Sequence, residues 1–168
     1  MSNFKSQSTE IRIRKEALKF ASAHMTVFLD GTKEALHGHQ YQPSVSMGIK
    51  NIDFENMIPF SKVKNAMKKI AMLWDEKILI ATENPHYQSI RKTKDSLEFT
   101  LCKKRYVLPR EEVVLLKVDN ITCEQLAFSY FEFLNAELES LFLNDNVLYV
   151  QVYIEESPGQ GAAYHYAK

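Results

Sequence analysis

Apolar and basic side chains alternate through Ile11-Arg12-Ile13-Arg14, and the pattern runs loosely on to His24. Successive strand residues point to opposite faces, so a period of two predicts one long strand over residues 11–24. Asp30-Gly31 marks a turn. Residues 36–49 return as a second strand, and Pro43 within it predicts an edge position or a bulge, because proline donates nothing to a ladder. Residues 51–56 read as a connection. After Pro59-Phe60-Ser61 the period changes: Val63, Ala66, Met67, Ile70, Leu73 and Trp74 recur at helical spacing and predict a helix with one core-facing stripe. Within residues 78–116, alternation returns at 96–101 and 105–108 with Lys103-Lys104 between, which predicts a β-hairpin inserted between two helices. Val113-Val114-Leu115-Leu116 adds a short strand. Thr122-Cys123-Glu124-Gln125 has the spacing of a capping box, with Thr122 as N-cap. Leu126, Tyr130, Phe131, Leu134, Leu138 and Leu141 then form a second helical stripe, which Asn144-Asp145-Asn146 ends. Residues 147–154 are a strong β run. Pro158-Gly159-Gln160-Gly161 is a loop, and a short strand follows through Tyr164. The order ββα, hairpin, αβ predicts an α+β fold.

The composition leaves that picture intact and removes several functions. A chain of 168 residues, 45% hydrophobic and 25% charged, is expected to be a single domain over residues 1–168 with a sizeable core, its polar residues 1–9 frayed. Lysine plus arginine and aspartate plus glutamate both number 21, so no charge excess points to nucleic acid or to a membrane surface. No apolar run approaches the roughly 20 residues that span a bilayer, and no signal-peptide pattern opens the chain. Cys102 and Cys123 are isolated, which excludes a disulfide framework and fits a reducing, cytoplasmic setting.

The histidines carry the candidate chemistry. Three of the five, His24, His37 and His39, fall within sixteen residues. On a strand, His37 and His39 point to the same side. A third imidazole from the preceding strand makes a three-histidine set that leaves the fourth tetrahedral position of Zn²⁺ open, as in catalytic sites. Spacing alone balances this reading against ordinary polar residues on a solvated strand. A cupin also carries His-x-His, but Pro43-Ser44 stand where its glutamate is needed.

Several ordered segments resemble the 6-pyruvoyltetrahydropterin synthase / 6-carboxytetrahydropterin synthase family. Phe20-Ala21-Ser22-Ala23-His24 resembles its first zinc segment and Leu36-His37-Gly38-His39-Gln40-Tyr41 its second. Met57-Ile58 through Val63-Lys64 resembles the following strand-to-helix entry. Thr122-Cys123-Glu124-Gln125-Leu126-Ala127 resembles the family's Thr-x-Glu-Asn-x-Ala helix start. Glu156, eight residues before Tyr164, falls where the family places its pterin-anchoring glutamate. The resemblance implies a tunnelling fold: a four-stranded antiparallel sheet with two helices on one face, here with the inserted hairpin. It further implies Zn²⁺ on His24, His37 and His39, a pterin held by Glu156 and Thr122, and a homo-oligomer, trimer or dimer of trimers, with sites between subunits.

The departures indicate the branch. Lys33-Glu34-Ala35-Leu36 lacks the cysteine that synthases carry before His-Gly-His. Glu34 resembles the folate-type branch, in which a glutamate replaces that cysteine and the side chain of 7,8-dihydroneopterin or its triphosphate is cleaved to 6-hydroxymethyl-7,8-dihydropterin. The family's Leu-Asp-His becomes Trp74-Asp75-Glu76, so Asp75 and Glu76 are the remaining candidates for proton transfer, against a bland reading as a solvated helix end. Pro59 replaces a usual aspartate, and the hairpin over residues 86–118 is longer than in compact members. Cys123, next to an N-cap, is set aside as a nucleophile, and His86 and His165 lie outside the triad. The expectation is a zinc-dependent lyase. The alternative is a non-catalytic protein that keeps zinc and pterin binding.

Overall fold

Residues 8–168 are described by a computed structural model. The long N-terminal strand of the sequence reading is two strands, β1 (Thr9–Ile13) and β2 (Phe20–His24), separated by a 3-10 turn at Glu16–Leu18. Both pair antiparallel with the same edge of β3 (His37–Ile49): β1 with residues 45–49, β2 with residues 37–41. Pro43 falls in the gap between those registers. It pairs with Ile154 on one side and has no strand partner on the other, a local edge of the kind expected, where a residue without an N–H costs least. The Gln42 amide fills the gap, donating to the Lys15 carbonyl at 3.2 Å. Fraying is expected over residues 1–9, but Thr9 is paired with Ile49, and residues 1–7 lie outside the described residues.

Two helices cover one face. Helix α1 (Phe60–Trp74) buries Val63, Ala66, Met67, Ile70, Ala71 and Trp74, whereas Leu73 of the expected stripe is exposed. The chain then adds β4 (Lys77–Ala81) parallel to β2. The insertion is larger than a hairpin: β5 (Tyr87–Lys92), β6 (Ser96–Leu101) and β7 (Lys104–Pro109) form a separate three-stranded antiparallel sheet. Its apolar face packs Leu97, Phe99 and Leu101 with Met25, Ile80 and Val113. Strand β8 (Val113–Leu116) returns to the main sheet parallel to β4. Helix α2 (Cys123–Phe142) starts at Thr122, whose side chain accepts from the Gln125 N–H, as the capping spacing predicts. Strands β9 (Val147–Ser157) and β10 (Gln160–Ala167) complete the chain.

The main sheet therefore has seven strands in place of the expected four, and its β2·β4 and β4·β8 pairs are parallel. The four-strand antiparallel unit is still there, with β3 and β9 at its centre. Its helix-facing side chains, Tyr41, Val45, Met47, Val150, Val152 and Ile154, are fully buried. Trp74 closes this core from α1, edge-on to Phe20 at 5.5 Å and to Tyr130 at 5.7 Å. Leu18, Phe20 and Trp74 thus hold β2 firmly against α1, which fixes the backbone that carries His24.

Candidate metal centre

The β2–β3 register sets His24 opposite His37 and Ser22 opposite His39. With alternating faces, all three imidazoles emerge on the helix side. Their ring centroids lie 4.6 Å (His24–His37), 5.2 Å (His24–His39) and 4.8 Å (His37–His39) apart. One ligand nitrogen from each lies within 4.8 Å of the others. The structure thus brings together the three residues that the sequence nominated.

Backbone carbonyls set the tautomers of two rings. His24 Nδ1 lies 2.9 Å from the Ile121 carbonyl oxygen, and His37 Nδ1 lies 2.9 Å from that of Ala35. A carbonyl only accepts, so each Nδ1 carries the proton and each Nε2 keeps its lone pair. His24 Nε2 is buried and has no hydrogen-bond partner. A buried, unpaired acceptor costs about 1–3 kcal/mol, and a cation at the triad would relieve that cost. Burial is the main reason that His24 sits below its usual pKa. The Ile121 contact opposes the shift, and His37 and His39 add to it. A neutral imidazole is the form that ligates metal. The donor set suits Zn²⁺.

Glu34 stands beside this centre. Its Oε2 is 3.9 Å from His37 Nε2, and its side chain is 40% exposed, open to a ligand. The Thr26 hydroxyl is in reach of both the Ile121 carbonyl (3.3 Å) and the Glu34 carboxylate. That contact holds Glu34 below the usual carboxylate range, against the opposing effect of burial and with help from His37. Glu34 is therefore ionised at neutral pH.

Asp75 and Glu76 are elsewhere. Asp75 Oδ1 accepts from the Ala21 N–H at 2.7 Å, and Glu76, at φ 57°, lines a hollow of about 370 Å³ that Ala23, Gly38, His39 and Glu112 also line. Ala21, Ala23 and Gly38 alternate along their strands with the imidazole-bearing residues, and Ser22 and His39 line the hollow between them. Among the described residues, neither carboxylate makes a hydrogen bond or an ion pair with an imidazole of the triad.

Thr122, Cys123 and Glu156 gather at the N-terminus of α2. Burial, then the neighbouring Glu156, pushes the Cys123 thiol up to about 12. That thiol is no thiolate, although a helix N-terminus usually lowers a cysteine pKa. Glu156 Oε1 accepts from Gln160 Nε2 at 2.6 Å. Between this group and the triad stands Tyr41, its ring 5.8 Å from His39 and its hydroxyl buried without a partner. Sequence reasoning missed Tyr41, Thr26 and the Ile121 carbonyl. Tyr41 had a signal, as the next same-face residue after His37 and His39. The Ile121 carbonyl had none, because a backbone acceptor leaves no trace in residue identity.

A model of the 6-pyruvoyl tetrahydropterin synthase family matches residues 12–167. The chain belongs to this family. Within it, the chain is 33% identical over 149 residues to a Methanocaldococcus jannaschii protein provisionally named 6-carboxy-5,6,7,8-tetrahydropterin synthase, covering 88% of this chain and 89% of that one. The solved 6-pyruvoyl tetrahydropterin synthase of Plasmodium vivax superposes with a TM-score of 0.86 at 25% identity, covering 97% of this chain and 100% of that chain. A variant of that protein, with a catalytic glutamate replaced by alanine, superposes equally at 0.86 with 24% identity and the same coverage. The chain thus has the tunnelling fold of a family of pterin-converting lyases, and its histidine triad is suited to the zinc that this family uses.

Proposed function

We propose that this protein is a zinc-dependent lyase that cleaves the side chain of 7,8-dihydroneopterin or its triphosphate, giving 6-hydroxymethyl-7,8-dihydropterin. One observation carries the reading: a carboxylate, Glu34, in a segment between the ligands that has no cysteine, lies 3.9 Å from a His37 nitrogen of the triad. The Plasmodium vivax relative, described as having a catalytic glutamate, supports a carboxylate in this role. Bound to His24, His37 and His39, Zn²⁺ would hold the side-chain hydroxyls and polarise the carbonyl that develops. Glu34 takes the proton of the C2′ hydroxyl as general base. The O–H electron pair forms the C2′ carbonyl, the C1′–C2′ bond breaks, and its pair passes into the pterin ring. Protonation at C1′, for which Glu34 now carries a proton, gives the hydroxymethyl group and a two-carbon aldehyde fragment. Glu156 accepts the two N–H donors of the pterin edge, with Thr122 beside it at the α2 N-cap. Asp75 and Glu76 make no hydrogen bond to their own triad among the described residues, and any proton they supply goes to the site of a neighbouring subunit.

We also read the assembly as a trimer or a dimer of trimers. Among the described residues, β10 pairs only with β9, and β1 only with β3, so each end of the antiparallel unit leaves an open edge. Head-to-tail pairing of those edges around a ring removes both. Among the described residues no helix is long and apolar enough to cross a membrane, and both cysteines are free, which fits the cytoplasmic setting that we propose. The test is incubation of zinc-loaded and chelator-treated protein with 7,8-dihydroneopterin and with its triphosphate. Consumption that needs zinc is expected. If neither is consumed, the non-catalytic, pterin-binding reading replaces this one.

A further inference from the structure

We propose that Asn120 is a positioning residue: its side-chain amide holds the loop that carries Glu34 in register with the triad. The inference rests on Glu34 as the base. The loop leaves β2 after His24 and returns at His37, so it joins two metal ligands and presents Glu34 between them. Little apolar burial holds its outer part, where Phe28 is 48% exposed and Leu29 fully so. Hydrogen bonds hold it instead. Phe28 N–H donates to the Thr32 carbonyl (2.8 Å), Glu34 N–H to the Thr26 carbonyl (3.0 Å), and Val27 forms a bridge with Lys33. Those bonds make the loop a unit without fixing where the unit sits.

Asn120 fixes it. Its Oδ1 accepts from the Val27 N–H at 3.0 Å, and its Nδ2 donates to the Val27 carbonyl at 2.8 Å. One amide therefore satisfies both backbone groups of Val27, as a strand neighbour would. The same Oδ1 accepts from the Ile121 N–H at 3.0 Å, which ties the amide to the backbone of the next residue. The Ile121 carbonyl in turn receives His24 Nδ1 at 2.9 Å and Thr26 Oγ1 at 3.3 Å. One dipeptide thus orients a metal ligand through its carbonyl and the base-bearing loop through its side chain. A displacement of this segment moves Glu34 and His24 together, and loss of the Asn120 amide frees Glu34 alone.

Asn120→Asp is the informative variant. It keeps the acceptor for Val27 and Ile121 but sets a carboxylate oxygen against the Val27 carbonyl in place of a donor. Expected are a kcat lowered about 10- to 100-fold, as for misplaced catalytic groups, with KM and zinc affinity within about twofold. Amides of residues 26–34 should exchange at least about tenfold faster, in the metal-free protein as well. Glu34→Gln combined with Asn120→Asp should be no slower than Glu34→Gln alone, because Asn120 acts through Glu34. Asn120→Ser gives a second variant should the aspartate impair folding. Unchanged kcat, unchanged exchange, or losses that multiply in the double variant overturn the inference. Normal turnover by Glu34→Gln instead removes the base assignment, and with it the positioning role.

Discussion

Replacing Glu156 by glutamine isolates pterin recognition from metal chemistry. Glu156 is half-buried on β9, and Arg14 pairs with its neighbour Glu155. Gln160 already donates to Oε1, and no ion pair engages Glu156 among the described residues. On the proposed role, a pterin edge with two N–H donors would meet a carboxylate that no ion pair engages. Glu156→Gln keeps the shape and turns one acceptor into a donor that faces an N–H. Loss of a charge-assisted hydrogen bond costs about 1.5–3 kcal/mol, or a Kd weakened roughly 10- to 150-fold. Stability should move by no more than about 0.5 kcal/mol, as at other part-exposed positions outside the core. Fluorescence titration of zinc-loaded protein with a dihydropterin measures Kd, with zinc content and circular dichroism as controls. A Kd within threefold of normal, in a folded and zinc-replete variant, would refute the anchoring role.

Glu34→Gln should keep fold, zinc and pterin binding while turnover falls by about 10²–10⁴, the usual worth of a positioned base; stopped-assay kinetics with zinc analysis checks this. Cys123, its thiol pushed up to about 12, should resist iodoacetamide at pH 8 and react faster as the pH rises toward that value, and Cys123→Ala should turn over near normally. Mass-labelled peptides report the first and kinetics the second, and rapid labelling at pH 8 would contradict the buried neutral thiol. Light scattering should give a trimer or a hexamer, and a stable monomer at micromolar concentration would contradict the ring of paired edges.

Elements with one sustained period were legible in the sequence. The stripe of α1, apart from the exposed Leu73, and the Thr122 cap of α2 fall where the spacing put them, and His37 and His39 share a face because strand alternation allows nothing else. Strand β8 was read with its observed bounds, but β4 and the parallel pairing of both were harder. Ile78-Leu79-Ile80 is a short apolar run with no alternation, and parallel pairing to β2 depends on a crossover that local pattern does not encode. The break at Glu16–Leu18 hides for a related reason: three residues are too few to show a change of period. At the site, the imidazoles were legible because strands dictate side-chain direction. Asp75 and Glu76 were not, because a loop leaving a helix has no periodicity to say which face of the sheet it reaches. Asn120 reads as an ordinary loop polar residue until its amide is seen to span Val27.

The central claim is bond cleavage between C1′ and C2′ by a site that has zinc and a carboxylate but no thiolate. Mass identification of the products from zinc-loaded protein and 7,8-dihydroneopterin triphosphate tests it most directly. The account predicts 6-hydroxymethyl-7,8-dihydropterin together with a two-carbon aldehyde that keeps the triphosphate. A 6-pyruvoyl or 6-carboxy tetrahydropterin as the main product would contradict it.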